Sequence, residues 1–550
     1  MKPLGLITNA VRAKEIFTVL ARHGFANLLN QIDPQGHWWQ RLVPQPGQRR
    51  TLWERTRLAL EELGPTFVKA GQILSMRPDV LPHGLILELR KLQNSVSPLP
   101  FDEMREVLVD ELEFEPYEVF ATFDETPVAS ASLAQVYRAT LPDGRAVAVK
   151  VQRPNLAKIV HADLDLLTWF IAQLHHRIAA LQPYDLPAVV AEVKASLLRE
   201  LDFRNEVRNQ QYFNALNPNP TKVFAPAVAD ELCGERVLVM EWIDGTPVSS
   251  SKLTRDEARR IAANGAESII HQVLISGFFH ADPHAGNVLI VPDGRLCFLD
   301  WGMVGNLTKR LRHGLADLLS AAVAQDAERI VQIAAELGSP GGRADLRAME
   351  RDVTLALRED FNPTLGHEQI GRAMLKLLFI FGQNGIYITR DYSLMAKAVL
   401  SIEEVAGTLD PGFELASHAR PVLKQLYAER TGPRAVWRET HQFLRSMAMG
   451  ARELPSGLFR ILRRLERDDL TIKFQHQGLE DLDDALKTAS NRITLGVIVG
   501  SIVMGSSLII TTRVGPTLFG YPALGIIGYL LSALFGCYIV WDIFRHGRHK

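Results

Sequence analysis

His280-Ala281-Asp282-Pro283-His284-Ala285-Gly286-Asn287 runs into Val288 to Val291, then Pro292-Asp293-Gly294-Arg295, then Leu296 to Leu299 and Asp300-Trp301-Gly302. This stretch decides the fold. Two short apolar runs flank a Pro-Asp-Gly turn, so the segment reads as a loop, a short hairpin and a second loop. A hairpin of that length brings Asp282, Asn287 and Asp300 close together. Two carboxylates and an amide make an oxygen-rich site suited to Mg²⁺. An Asp, an Asn five residues on and an Asp-x-Gly after a hairpin also fit the loop pair used in phosphoryl transfer.

A second half of such a site lies upstream. Val136 to Thr140 and Ala146 to Val151, joined through Pro142-Asp143-Gly144, predict a hairpin. Ala146-Val147-Ala148-Val149-Lys150 resembles the signature strand whose Lys holds the α- and β-phosphates of ATP. Just before it, Ala129-Ser130-Ala131-Ser132-Leu133-Ala134-Gln135 is built of small residues that let backbone close on a ligand. Alone that run is a weak signal, and it strengthens beside Lys150. Pro154 to Ala180 and Leu186 to Gln211 read as two long helices. The second carries Glu200, Asp202 and Glu206, and one of the glutamates should pair with Lys150. The strand Arg236 to Ile243, which includes Glu241 and ends at Asp244-Gly245, is where a hinge between two lobes would fall.

Farther upstream, Leu58 to Leu92 has a helical pattern broken at Gly64-Pro65 and Arg77-Pro78. Lys69 and Gln72 are three apart and share a helical face. Gly71 beside them costs about 1 kcal/mol against Ala in a helix, which suggests a close approach on that face. Spacing alone favours a surface Lys and Gln beside a packing glycine.

The bulk properties exclude several classes. The chain has 550 residues, with Lys+Arg 61 against Asp+Glu 62, so it has room for several domains and no global affinity for nucleic acid. Cys233, Cys297 and Cys537 are far apart, which argues against a disulfide framework or a Cys-based zinc site. Cys297 and Cys537 lie in apolar runs and read as small buried hydrophobes. Met1 to Asn30 lacks the long apolar run of a secretory signal and suits an amphipathic helix.

Ile493 to Thr512 and Val514 to Trp541 are uncharged, and each is long enough for a bilayer core of ~30 Å. With Gly515-Pro516, Gly520 and Pro522 between them, they predict a two-helix membrane hairpin. Basic flanks at Lys487, Arg492, Arg545, Arg548 and Lys550, against a lone Arg513 in the connection, put both ends of the hairpin and the soluble body in the cytoplasm. Gly496-x-x-x-Gly500, followed by Gly505, reads either as close packing of the hairpin or homodimer contact, or as ordinary small residues of a membrane helix. Leu458 to Arg467 is basic and amphipathic. It suits an anionic membrane surface or a helix packed on the body.

Together these residues resemble the UbiB/AarF family of atypical kinase-like proteins, from roughly residue 55 to 415. The matching motifs are Lys69-x-Gly71-Gln72, the Ala-rich run Ala129 to Gln135, Glu200-x-Asp202 with Glu206, and His280-Ala-Asp282-Pro-His284-x-Gly286-Asn287 with Asp300-x-Gly302. The late segment Glu403 to Gly407 with Leu409-Asp410-Pro411 also fits. The resemblance implies an α+β, bilobal protein-kinase-like fold. A helical extension would occupy 1–115, an N-lobe 116–245, a helical C-lobe 246–430, a juxtamembrane linker 431–486 and the transmembrane hairpin 487–550. It implies ATP and Mg²⁺ between the lobes. Lys150 would hold phosphates and pair with Glu206 or, less favoured, Glu200. Asn287 and Asp300 would be the metal ligands, and Asp282 would stand where the catalytic base stands. Ala129, Ser130, Ala131, Ser132, Gln72 and Glu241 would lie around the nucleotide. Lys69 would contact the Glu200 and Asp202 carboxylates and fold over the place where a kinase admits protein, and Gly71 would pack against the lobe. Ser130 stands where many relatives have Ala, and Trp301 replaces the usual Phe. His280 and His284 flank Asp282, a pattern open to a transition metal, although the resemblance makes His280 structural.

The function implied is a membrane-anchored ATPase or atypical kinase of a bacterial inner membrane. It would support ubiquinone or other isoprenoid quinone synthesis and act on quinone-precursor lipids or beside the biosynthetic enzymes. A small-molecule or lipid kinase, and an ATP-binding scaffold, are the competing readings.

Overall fold

The computed structural model describes residues 3–25, 50–78, 80–92, 96–178, 185–340, 344–360, 370–431, 480–512, 516–518 and 521–546. The basic segment Leu458 to Arg467, Gly515, Gly520, Arg513, Arg548 and Lys550 lie outside the described residues. The chain forms two compact units, Met1–Arg438 and Glu439–Lys550.

The first unit opens with helices Pro3–Arg22, Leu52–Leu63, Pro65–Leu74 and His83–Leu89. The first break falls at Gly64-Pro65, as the sequence predicts; the second begins at Ser75, just ahead of the expected Arg77-Pro78. Gly64 takes φ 98°, a left-handed-side value that suits glycine, and the following Pro65 starts a new helix. The N-terminal helix docks through Arg12, whose Nε donates to the fully buried Asp163 at 2.6 Å. A side chain at Gly71 would run into Leu60, Leu89 and Leu92. The close approach inferred at this glycine is therefore made by leucines of the extension itself, and packing against the lobe is not its cause.

A five-stranded antiparallel sheet follows. Its strands are β1 (Thr122–Phe123), β2 (Ala129–Ser130), β3 (Ala134–Thr140), β4 (Ala146–Gln152) and, after the small β5 (Val223–Phe224) of the next lobe, β6 (Val237–Glu241). The order is β1-β3-β4-β6, with β2 folded back on β3. Side chains alternate across β4. Val147, Val149 and Val151 join Met104, Leu108, Tyr137, Val237 and Val239 in one core. Ala148 faces the other side with Phe203 and Val207, and Lys150 shares that side by the same alternation.

The predicted single helix from Leu186 to Gln211 is two, Leu186–Glu200 and Phe203–Leu216. The break is at Asp202. Its backbone is extended and its side chain accepts from the Arg204 N–H, which caps the second helix. An Asp at such a point competes with the helix for backbone donors.

The second lobe is helical, with small sheets that carry the loops. β5 runs parallel to β10 (Leu296–Phe298), which pairs with β9 (Val288–Ile290), and β9 pairs with β7 (Thr246–Pro247). β8 (Phe278–His280) pairs with β11 (Val304–Asn306), in register Val304 to His280. Its helices, from Arg255–His271 to Leu415–Thr431, share one large core. In it Glu403 accepts the backbone N–H groups of Ile370 and Gly371, each at 2.9 Å, at the start of the Ile370–Gln383 helix. Burial pushes the Glu403 carboxyl up to about 7, from an ordinary 4.5. A folded-state value above the unfolded one favours the fold most below pH 4.5, and that contribution is lost as pH rises through 7. We expect the pH 5.5 to pH 8 loss of stability to shrink by up to about 2 kcal/mol in Glu403→Gln. Urea unfolding of the full-length protein in detergent at the two pH values checks this; an unchanged slope in the variant counts against it.

In the second unit, helices Glu480–Thr512 and Ala523–His546 pack on each other. Only Ile493–Thr512, with mean hydropathy 2.2, is long and apolar enough to cross a membrane among the described residues; Ala523–Tyr538 is a shorter apolar helix. Their contact uses Gly525 and Gly528, where a side chain would strike Ile510 and Ser506, and a Ser507–Tyr529 hydroxyl bond. Gly496, Gly500 and Gly505 meet nothing within 4 Å, so the Gly-x-x-x-Gly pair does not pack this hairpin. Cys537 is exposed, contrary to the buried reading, because these helices turn most of their apolar side chains outward.

Candidate functional site

Lys150 reaches the Phe203–Leu216 helix because β4 aims it to the side where Ala148 leaves room. Its Nζ donates to both oxygens of Glu206, at 2.9 and 2.8 Å, and lies 5.3 Å from the Phe203 ring centre. Asp300 Oδ1 is 3.5 Å from the same ammonium. Burial opposes the Lys150 charge, but Asp300 and Glu206 outweigh it and raise its pKa. Burial pushes the Glu206 carboxyl up against the pull of Lys150. The Lys150 ammonium, helped by Lys69, holds Asp300 well below the ordinary carboxylate range, so its half-exposed oxygens stay ionised.

The break at Asp202 gives the two glutamates different partners. Glu206, past the break, takes Lys150. Glu200, before it, pairs with Lys69. Burial works against the Lys69 charge too, and Glu200 and Asp300 reverse it. Asp202 takes no part in this: it pairs with Arg204 at 2.8 Å, so the expected contact of Lys69 with both carboxylates holds for Glu200 only. The Gln72 amide donates to the Leu92 carbonyl at 3.0 Å, tying its helix to the rest of the extension. Glu200 also lines a polar cavity of about 370 Å³ with Arg199, Asn209, Asn306 and Arg390.

The opening hairpin closes as read. Val288 pairs with Phe298 and Ile290 with Leu296, and the Gly294 turn has φ 82°. The Leu299 N–H donates to the Asn287 carbonyl at 2.8 Å, which sets Asn287 across from the residue before Asp300. Asn287 Nδ2 donates to the Asp282 carbonyl at 3.3 Å. Asp300 itself has φ 55°, a left-handed conformation that Asp tolerates. A side chain on Gly302 would press on the Asp300 carboxylate at 3.2 Å and approach Glu206. Only glycine leaves those carboxylates clear.

His280 is fully buried. Its Nδ1 accepts the Asp282 N–H and its Nε2 meets the Leu299 carbonyl, so Nε2 carries the proton and no nitrogen is left for a metal. Burial lowers its pKa and keeps it neutral. No group of three or more His, Cys, Asp or Glu arranged for a metal occurs among the described residues. Trp301, also fully buried, stacks on Phe213 at 4.3 Å and donates from Nε1 to the Phe298 carbonyl. That bond is unavailable to Phe and holds the Asp300 loop in place.

The Ala-rich run is a tight hairpin, Ala129 opposite Val136 and Ser130 opposite Gln135, closed by the Ala131 N–H on the Ala134 carbonyl. Arg153, which the sequence reading passed over, donates to the Ala131 carbonyl, to Ser130 Oγ and to the Ser97 carbonyl. The Ser130 hydroxyl is thus tied to an arginine. Ser132 Oγ is buried without a hydrogen-bond partner. Glu241 ends β6 and accepts from the Ala227 N–H at 3.3 Å.

A second missed residue is Lys397, on the Arg390–Leu409 helix, whose Nζ is 3.0 Å from Asp282 Oδ1. The signal was a lone charge in Leu394-Met395-Ala396-Lys397-Ala398-Val399-Leu400.

An orphan hydroxyl on a small-residue loop, a fixed ammonium, an ionised half-exposed Asp and an Asn beside it fit a nucleoside triphosphate with Mg²⁺. Ser132 and Lys150 would face its phosphates, and Asn287 and Asp300 would hold the ion.

The chain matches the ABC1 atypical kinase-like domain over residues 91–334 and the ABC1/UbiB kinase-like C-terminal domain over 477–545. It is 31% identical over 545 residues to an uncharacterised protein encoded in the hydrogenase 1 5' region of Clostridium pasteurianum, spanning 98% of this chain and 99% of that one. It is 30% identical over 528 residues to a probable protein kinase UbiB of Xanthomonas campestris pv. campestris, spanning 92% and 93%. A solved structure of a Mycobacterium tuberculosis protein in complex with erythromycin is 23% identical, covers 62% of this chain and 91% of its own, and has a TM-score of 0.41.

Proposed function

The chain belongs to the ABC1/UbiB family of atypical kinase-like proteins, and from that premise we propose that it is a membrane-anchored, Mg²⁺- and ATP-dependent phosphotransferase or ATPase that supports isoprenoid quinone synthesis. The observation that carries the reading is the Lys150–Glu206 pair set against Asp300. A lysine clamped by a buried glutamate stays charged and aimed at phosphate, and Asp300 stays ionised for a metal. The nucleotide brings the transferable phosphoryl group. The protein's share is to hold phosphates with Lys150, position the metal with Asn287 and Asp300, and take the proton of the attacking hydroxyl on Asp282.

Lys69, bonded to Glu200 beside this cluster, favours a small acceptor, water or a lipid-derived hydroxyl, over a protein side chain. Quinone precursors, phenolic and membrane-bound, have that chemistry. The two C-terminal helices enter the bacterial inner membrane as a hairpin: the first crosses, and the shorter second is carried along it by the Gly525 and Gly528 contacts. Basic residues beside the first helix keep the body cytoplasmic.

The test is nucleotide turnover by the full-length protein in detergent or anionic liposomes, with Mg²⁺ or EDTA, with and without phenolic precursors. Mg²⁺-dependent ADP release is expected; its absence in every condition overturns the proposal. A phosphorylated phenol would make it a kinase of that lipid, and phosphate alone an ATPase. Normal quinone content in a deletion strain would remove the biosynthetic role.

A further inference from the structure

Lys397 stands far from every motif that marks this site in the sequence, yet its ammonium is 3.0 Å from the Asp282 carboxylate. Its helix is firmly placed. Asp391 accepts the Asn306 N–H at 3.2 Å, and Asn306 lies on β11, which pairs with the strand leading into Asp282. Tyr392 donates to the Leu311 carbonyl at 2.7 Å, and Leu394, Met395, Ala396 and Ala398 are buried around Lys397. The approach to Asp282 is set by two packed elements.

The loop that carries Asp282 has no permanent cation of its own. His280 is buried with both nitrogens engaged, and His284 Nδ1 accepts the Gly286 N–H. Lys69 and Lys150 are committed to Glu200 and Glu206. A carboxylate placed beside a polyphosphate needs positive charge between them. An ammonium has three donors. Among the described residues Asp282 accounts for the one ion pair of Lys397, and both side chains keep about a quarter of their surface, 28% and 27%.

We propose that Lys397 supplies the missing catalytic-loop cation from outside the loop, bridging Asp282 and the terminal phosphate of the bound nucleoside triphosphate. The site thereby prefers triphosphate over diphosphate. This rests on the nucleotide reading above and adds a residue to it.

Calorimetry on the full-length protein in detergent with Mg²⁺ tests it, using a non-hydrolysable ATP analogue and ADP. Lys397→Met should bind the triphosphate at least about tenfold more weakly, the scale of one charge-assisted hydrogen bond, while ADP affinity stays within about twofold. Lys397→Arg should recover most of the loss. Should the Met variant melt early, Lys397→Gln carries the same comparison. An unchanged triphosphate-to-diphosphate ratio in a folded neutral variant overturns the proposal and leaves the nucleotide reading standing, as does a parallel loss of both nucleotides. Wild-type protein that binds neither nucleotide overturns both.

Discussion

Replacing Asp300 with Asn should cut Mg²⁺-dependent ATP turnover at least about a hundredfold, with little change in thermal stability. The size follows from removing the anionic ligand of a metal that offsets charge in phosphoryl transfer. Stability is spared for three local reasons. Asn tolerates the φ of 55° that this position requires. Its side-chain oxygen can still accept the Gly302 N–H. Lys150 keeps both bonds to Glu206. Turnover against Mg²⁺ concentration, measured beside a melting curve, separates the two effects. Full turnover in the variant would show that the metal is held elsewhere.

Replacing Glu206 with Ala acts on folding instead. Glu206 is 3% exposed and holds an ammonium that is itself mostly buried. Removing one member of a buried pair leaves an uncompensated charge, at a cost of about 3–5 kcal/mol. Lys150 is left with Asp300 at 3.5 Å, which draws it onto the metal ligand, so nucleotide affinity should fall as well. Denaturant unfolding of the full-length protein should show the loss, and the double variant Glu206→Ala with Lys150→Met should regain much of it, since neither charge is then stranded. A single-variant loss under about 1 kcal/mol would mean the pair is solvated and does not organise the lobe.

The hairpin between Asn287 and Asp300 was legible because its turn chemistry and its apolar runs are local. So was the aim of Lys150, since strand alternation sorts it onto the side of Ala148. The same local rules misread one place and left two open. Leu186 to Gln211 looked like one helix because its apolar spacing continues through Asp202, and only the capping bond breaks it. Gly71 promised a close approach, but spacing could not tell leucines of the extension from a neighbouring lobe. The glycines of the first C-terminal helix could be packing positions or ordinary small residues, and it is Gly525 and Gly528 on the second helix that make the contact.

By itself the sequence determined the two halves of the site, Lys150 with its small-residue hairpin and the Asp282 to Asp300 loops, along with the family and the apolar C-terminal helices. Those are runs and motifs in which neighbours along the chain set the chemistry. The resemblance already implied Glu206 for Lys150 and the Glu200 and Asp202 carboxylates for Lys69; tertiary structure alone singled out Glu200 over Asp202 for Lys69 and brought Asp282 to Lys397. An ion pair is chosen by distance after packing, and no pattern along one strand or helix specifies which distant side chain will be there to meet it.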